Sequence, residues 1–256
     1  MPASDVTVHF GERQLRLSNL DKVLYPSGFT KADVLDYYRR IAPALLPHLA
    51  GRPLTLKRYP DGALGGYFYE KSCPSHRPRW IPVAHVPSRE RPAGIPFCLV
   101  EDLPSLMWVA NLASLELHTP LARAPHVEQP TLLVFDLDPG PPADLVACAR
   151  LAVELRDLLA HLGLDCLAKT SGKKGLQIYV PLNSPTTYHQ TKPFAHAIAR
   201  LLEERHPGRV VSVMRKDLRA GKVFVDWSQN SRHKTTISVY SLRARPRPTV
   251  STPISW

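Results

Sequence analysis

A chain of 256 residues, 44% apolar and 21% charged, has the composition of a globular protein long enough for one or two cores, which excludes a disordered chain or a staple-dependent mini-protein. Thirty-three Lys and Arg against 22 Asp and Glu leave a formal charge of +11, which favours a polyanionic partner, most simply nucleic acid. No apolar run reaches the length of a membrane span and "MPASDVTVHF" lacks the layout of a secretion signal, so the reading is cytoplasmic, with no membrane partner.

The first third mixes short strands with one long helix. "VTVHF" and "RQLRLS" are strand patterns. Val34, Tyr38, Ile41, Leu45 and Leu49 fall at helical spacing and predict a helix from Thr30, which can cap it, with Asp33 in the first turn and Gly51 past the end. Strand patterns follow at "LTLKRY", "YFYEK", "WIPVAHV" and "PFCLVE", with Pro87–Gly94 ("PSRERPAG") as an exposed loop. Alternation along "YFYEK" expects one of Phe68 and Tyr69 to pack inward. "LPSLMWVANLA" reads as a helix leading into "SLELH", whose His118 suits either a phosphate donor or a satisfied core histidine. Cys73, Cys98, Cys148 and Cys166 lack any C-x-x-C and read as free thiols of a reducing compartment; Cys73-x-x-His76 supplies only part of a zinc ligand set.

From Thr131 strands and helices alternate. Strand "LLVFDLD" precedes a helix over 143–162 with a stripe of Leu151, Leu155, Leu158 and Leu162, ended by Gly163. Strand "CLAKT" turns through "SGKKG" into "LQIYVPL"; a helix over 191–205 and strands "VVSVM", "KVFVDW" and "ISVYSLR" complete the chain. The order is close to a split β-α-β-β-α-β layout, an α/β (α+β) class with helices on one face of a mixed sheet. One domain over 1–256 is expected, with an N-terminal lobe over 1–128 and a catalytic lobe over 129–256.

The chemistry concentrates in three stretches. Asp136 and Asp138 are two apart on one apolar strand, so they share a face about 7 Å apart at ~3.3 Å rise per residue. Asp226 ends another apolar strand. If the two strands are adjacent, three hard oxygen donors converge, a set suited to Mn²⁺ or Mg²⁺ shared with substrate phosphates. The competing reading, strand-end caps or ion-pair partners, explains a single acid better than this set. Ser171, Gly172, Lys173, Lys174 and Gly175 make a basic turn that can cradle anionic oxygens, although the spacing is not that of a Walker A loop. Lys57 and Arg58, then Arg215, Lys216 and Arg219, then Arg243 and Arg245, add cations suited to a triphosphate or a DNA backbone. Phe68 and Tyr69 could stack on bases.

Taken in order from about Asn19 to the end, "KVLYP", "LKRYP", "FYEK", "LELH", "VFDLDPG", "TSGKKGL", "LRAGKVFVDWSQN" and "KTTISVYSLR" resemble the polymerase domain of bacterial DNA ligase D, within the archaeo-eukaryotic primase superfamily. The resemblance implies a primase-polymerase fold of mixed and antiparallel central sheets with flanking helices, in two closely packed lobes. It implies a template-dependent nucleotidyltransferase that extends primer ends and fills short gaps, preferring NTPs to dNTPs and working with manganese or magnesium in a two-metal site. Asp136, Asp138 and Asp226 match the metal ligands. His118, Ser171, Lys174 and Arg243 match positions that hold the incoming triphosphate, and Lys57 matches another nucleotide-side position. Phe68 and Tyr69 match an aromatic pair on the template strand, and Arg219 a residue tied to primer-end and metal positioning. Asn19, Lys22 and Lys31 match a pocket for a downstream 5′-phosphate. The partners implied are DNA with gaps, overhangs or breaks, a DNA ligase and a Ku-type end-binding protein, at the bacterial nucleoid.

Two departures stand out. Gln177 occupies a position where the family commonly has His; it can hydrogen-bond a phosphate but carries no charge. "EKSCPSHRPRW" is a basic, Cys-containing version of a variable segment, which keeps open an excision-repair branch beside end joining. Family domains usually continue past "TPISW", so a truncated or short version is expected. From other classes, a catalytically silent module binding 5′-phosphorylated ends has no use for the acids, and a metal-dependent nuclease has none for a triphosphate pocket.

Overall fold

Local capping starts each helix. In the computed structural model, which describes residues 5–88 and 91–256, Thr30 and Asp33 form a reciprocal capping box for the first long helix. Arg89 and Glu90 of the loop expected at Pro87–Gly94, and the first four residues of "MPASDVTVHF", lie outside the described residues.

The chain divides into two units. The first comprises the described residues up to Thr119 together with Ile237–Val250; the second comprises Pro120–Thr236 with Ser251–Trp256. In chain order the first unit holds β1 (Val6–Phe10), β2 (Arg13–Leu17), α1 (Lys31–Leu49), β3 (Thr55–Arg58), β4 (Phe68–Glu70), β5 (Val83–Val86), β6 (Ile95–Cys98), α2 (Leu103–Asn111) and β7 (Ser114–Thr119). Its core collects Val34, Tyr38, Leu45 and Leu49 of α1 with Leu106 and Val109 of α2 and Leu56, Leu115 and Leu117 of the strands. Ile41, expected on the buried stripe, is only half-buried, and Ala42 is buried beside it.

The second unit holds β8 (Leu132–Pro139), α3 (Leu145–His161), β9 (Leu167–Thr170), β10 (Leu176–Pro181), α4 (Tyr188–Arg205), β11 (Val210–Val211) and β12 (Val223–Asp226). The chain then adds β13 (Thr236–Ile237), β14 (Leu242–Arg243), β15 (Thr249–Val250) and β16 (Pro253–Ile254). Two sheets dominate. One has the order β11-β12-β8-β10-β9-β16, every neighbouring pair antiparallel except the parallel β11 and β12; the other has the order β13-β7-β3-β4. The fold is mixed α+β, and α3 and α4 bury their apolar stripes on one face of the six-stranded sheet, against Leu133, Phe135, Leu137, Ile178 and Val225.

Several expectations shift in detail. On α3 the buried stripe runs Leu151, Leu155 and Leu159, while Leu162 is exposed as the C-terminal cap. The last long helix starts one turn before the expected Thr191, because Thr187 and Gln190 form a capping box. "ISVYSLR" is not one strand: Tyr240 takes a positive φ of 60°, and Ser238 N and Ser241 Oγ both bond to Leu117, splitting the stretch into β13 and β14. Cys73 and Cys98 form a disulfide, so the expectation of four free thiols fails; Cys148 and Cys166 remain free and buried. Their separation of 25 residues hid the pairing, which the loop carrying Cys73 creates by hydrogen-bonding Cys73 N to the Pro96 carbonyl of β6 at 2.6 Å. Among the described residues no helix is long and apolar enough to cross a membrane.

Candidate functional site

In the second unit, alternation splits every central strand between two faces. Leu133, Phe135 and Leu137 of β8, Leu176, Ile178 and Val180 of β10, and Val223 and Val225 of β12 go to the helices. The opposite face receives Asp136, Asp138, Gln177, Tyr179, Phe224 and Asp226. Register then assembles a row. Asp136 lies opposite Asp226 on one side and Gln177 on the other, and Gln177 lies opposite Lys169, so Lys169, Gln177, Asp136 and Asp226 cross four strands side by side. β8 and β12 are therefore adjacent, the condition on which convergence of the three acids depended.

Asp136 is half-buried, and its Oδ1 is inaccessible and without a hydrogen-bond partner. Burial first, then the charges of Asp138 and Asp226, raise its pKa from 3.8 to about 7; a hydrogen bond from Gln177 and the charge of Lys169 pull the other way. Asp226 is held by its own turn: Ser228 donates through N at 2.9 Å and Oγ at 2.6 Å, and Gln229 Nε2 donates at 2.9 Å. Asn230 clamps that turn to β8, donating to the Val134 carbonyl at 2.7 Å and accepting from Val134 N at 2.9 Å. Among the described residues no three His, Cys, Asp or Glu side chains close into a ready-made metal cage. The donor chemistry nevertheless fits a hard divalent cation: Asp136 has an orphaned buried oxygen, and the three hydrogen bonds to Asp226 leave part of its lone-pair capacity unused.

Lys169 escaped the sequence reading. It is buried on β9, donates to Ser251 Oγ at 2.6 Å and is the cation of the row. The only local signal was a lysine inside the otherwise apolar "CLAKT". Gln177 is buried and accepts from the Tyr179 hydroxyl at 3.2 Å, so its amide links Tyr179 to Asp136.

The basic turn between β9 and β10 organises itself. Ser171 Oγ accepts from Lys173 N at 3.4 Å and Gly175 N at 3.1 Å, Gly172 takes a φ of 71°, and Lys174 Nζ donates to the Pro139 carbonyl at 3.1 Å. Gly175 has a packing reason: a Cβ there would stand 2.1 Å from the Leu137 carbonyl oxygen. Arg219 sits on a short 3₁₀ turn, donates to the Met214 carbonyl at 2.5 Å and lays its guanidinium 3.7 Å above the Phe224 ring. Phe224 is the cross-strand partner of Asp138, so Arg219 is carried to the acidic face.

The first unit holds a second cluster. Glu116 of β7 is completely buried, and Lys57 is its cross-strand partner on β3. Glu116 Oε2 lies 3.5 Å from Lys57 Nζ and 3.1 Å from His118 Nε2; Oε1 lies 3.4 Å from Arg243 Nε and accepts from Ala244 N at 3.1 Å. Lys57, His118 and Arg243, far apart in sequence, are thus gathered on one carboxylate that sequence reasoning did not single out. Its one signal is an acid two residues before His118 in a strand buried at every position. Burial pushes the His118 and Lys57 pKa values down, while Glu116 opposes both shifts.

Phe68 and Tyr69 depart from expectation in that neither packs inward: they are 44% and 54% exposed, because β4 is the edge of its sheet. They point to opposite faces. Tyr69 pairs with Lys57 and meets the His118 ring edge-on at 5.8 Å, while Phe68 pairs with Arg58, whose guanidinium lies 5.1 Å over its ring. Arg58 also lines a cavity of about 540 Å³ together with Asn19, Lys22, Lys31, Arg16 and His76. Asn19 has a positive φ of 54°, Lys22 is exposed and lies 3.7 Å from Asp61, and Lys31 is buried with Nζ donating to Ser18 Oγ at 3.4 Å. Burial lowers the Lys31 pKa to about 8.

The model of the LigD primase-polymerase domain matches residues 30–256. The chain belongs to this family. The family comprises DNA-directed nucleotidyltransferases of the archaeo-eukaryotic primase superfamily. Among curated relatives, the multifunctional non-homologous end joining DNA repair protein LigD of Mycobacterium tuberculosis is 44% identical over 96% of this chain, and the bifunctional LigD of Bacillus subtilis 31% identical over 95%. The chain spans 33% and 39% of those relatives' lengths. A solved structure, the polymerase domain of M. tuberculosis ligase D in complex with DNA, superposes with a TM-score of 0.90 at 44% identity, covering 96% of this chain and 88% of that one.

Proposed function

We propose that this LigD-family chain is a template-dependent nucleotidyltransferase that extends primer ends and fills short gaps at DNA breaks bearing 5′-phosphates, as part of non-homologous end joining. The observation that carries this reading is the carboxylate face of the second unit: Asp136 and Asp226 in direct register, Asp138 beside them, and an Asp136 oxygen buried without a partner. Asp136, Asp138 and Asp226 would hold Mn²⁺ or Mg²⁺, whose chemistry is to neutralise these acids and stabilise charge on a leaving pyrophosphate. In this reading a primer 3′-hydroxyl attacks the α-phosphate of an NTP, and the protein contributes positioning and electrostatics.

Each residue set then has a role. Lys57, His118 and Arg243 present cations and a ring N–H to phosphate oxygens, and Ser171, Gly172, Lys174 and Gly175 form the anion-facing turn. Gln177 orients Asp136 through its amide. Arg219, stacked on Phe224, places a guanidinium beside Asp138 for the primer end. Asn19, Lys22 and Lys31, with Arg58 and Arg16, supply a basic cavity for a terminal 5′-phosphate, and exposed Phe68 and Tyr69 offer rings to template bases. The names of the relatives support end joining; a DNA ligase and a Ku-type protein are the partners this reading implies.

The test is extension of a primer on a gapped, 5′-phosphorylated duplex, with NTP or dNTP and Mn²⁺ or Mg²⁺. Asp136→Ala and Asp226→Ala are expected to abolish extension and retain binding to the gapped duplex. Full extension by either variant refutes the assignment, and degradation of the duplex without added nucleotide supports the nuclease reading instead.

A further inference from the structure

Glu116 lies outside every role assigned above, yet it touches three of the nucleotide-side residues, Lys57, His118 and Arg243. We propose that Glu116 is a positioning residue: its buried carboxylate fixes Lys57, His118 and Arg243 as a single preorganised face for an anionic triphosphate. The inference rests on the reading that these three residues hold the incoming nucleotide.

Stability alone is a poor explanation for the cluster. A buried ion pair often contributes little net stability, because desolvation offsets the attraction. Here one carboxylate faces two basic side chains, Lys57 at 3.5 Å and Arg243 at 3.4 Å, so with Lys57 protonated the buried group carries one positive charge more than Glu116 offsets. An excess cation in a dry site calls for an anion. The hydroxyl of Thr55, which register places opposite His118, is also buried without a hydrogen-bond partner.

The geometry divides the labour between the two oxygens. Oε2 serves Lys57 and His118, which share one sheet face by cross-strand and i, i+2 spacing. Oε1 serves Arg243 and the Ala244 N–H, which come from the returning segment near the C-terminus. That segment is fixed independently: the Tyr25 hydroxyl donates to the Arg243 carbonyl at 3.2 Å, and Leu242 N donates to the Tyr38 hydroxyl at 3.2 Å. Only the guanidinium is left to be aimed, and Glu116 aims it. Lys57 Nζ also lies 3.9 Å from the Tyr67 ring centroid and 5.2 and 5.4 Å from those of Tyr59 and Tyr69, so three phenol rings pack around it beside the Glu116 carboxylate.

The experiment compares nucleotide binding and gap filling by the full chain, wild type against Glu116→Gln and Glu116→Asp. Gln keeps the shape and removes the charge; Asp keeps the charge and withdraws it by one methylene. With positioning as proposed, Glu116→Gln weakens nucleotide binding and raises KM by about tenfold, the worth of one charge-assisted hydrogen bond, and leaves binding of gapped, 5′-phosphorylated DNA unchanged. Glu116→Asp recovers part of the loss. The alkaline limit of nucleotide binding moves to lower pH in Glu116→Gln, because Lys57 then keeps Arg243, His118 and the phenols of Tyr59, Tyr67 and Tyr69 as neighbours without the carboxylate that favours its charge. Simple charge removal predicts the opposite, tighter binding of a polyanion, and that result overturns the proposal. So does an unchanged KM or a fixed alkaline limit. If Glu116→Gln does not fold, Glu116→Asp decides alone: a wild-type KM overturns the proposal and a raised one supports it. Lys57→Ala and Arg243→Ala separate the two levels. If they leave nucleotide binding intact the nucleotide-side reading fails, and if they weaken it while Glu116→Gln does not, only this inference fails.

Discussion

Replacing Asp136 by Asn in the metal-free protein should stabilise the fold at alkaline pH and leave it unchanged at acid pH. The folded protein holds the Asp136 pKa at about 7, against an ordinary 3.8, because burial, Asp138 and Asp226 all disfavour the charge. The folded state therefore binds more protons than the unfolded state between these values, and stability falls as pH rises through that window. The rise corresponds to at most ~4 kcal/mol at ~1.36 kcal/mol per pH unit. Partial solvent access, and repulsion shared with Asp138 and Asp226, reduce the expected gain to ~2 kcal/mol. Asn carries no charge at any pH, so it recovers nothing at pH 4 and the full amount at pH 8. For a chain of this size that is ~4–8 °C in Tm. The assay is thermal unfolding in EDTA at both pH values, repeated at pH 8 with Mn²⁺, which should stabilise the wild type and not the variant. An equal Tm difference at both pH values, or a less stable variant at pH 8, refutes the electrostatic account.

Other expectations are independent of that one. Gly175→Ala places a Cβ 2.1 Å from the Leu137 carbonyl oxygen and should cost at least ~2 kcal/mol by urea denaturation, since backbone on both sides must part; a wild-type midpoint contradicts it. Lys31→Ala should reduce the preference for 5′-phosphate over 5′-hydroxyl ends about tenfold in anisotropy titrations. With the Lys31 pKa near 8, the wild-type preference should fade between pH 7 and 9, and a preference constant across that range argues against Lys31 as the phosphate contact. Opening the Cys73–Cys98 bridge with a reductant, or by Cys73→Ser, should cost ~3 kcal/mol for a loop of this length, read as a lower Tm that the Ser variant shows with or without reductant.

Much of the second unit was legible because its information is local. Alternation alone put Asp136 and Asp138 on one face, and the strand-helix-strand rhythm gave the layout on which α3 and α4 sit. Errors at element ends came from capping. Thr187 with Gln190 started α4 before the expected Thr191, and Leu162 became an exposed cap when Leu159 filled the buried position. The Phe68 and Tyr69 expectation failed because alternation assigns faces but not burial: on an edge strand both faces can meet solvent.

By itself the sequence determined the chemical inventory, the strand faces and the family, since residue types, two-residue spacing and ordered motifs are properties of neighbouring positions. Tertiary structure alone decided which distant residues meet. Register set Asp226 opposite Asp136 and added Lys169 and Gln177 to the same row; the return of residues 237–250 to the first unit brought Arg243 to Glu116 and Lys57; and a loop docked on β6 joined Cys73 to Cys98. The physical reason is common to all three: these side chains are neutralised, aimed or linked by groups dozens of residues away, and only the folded chain fixes that distance.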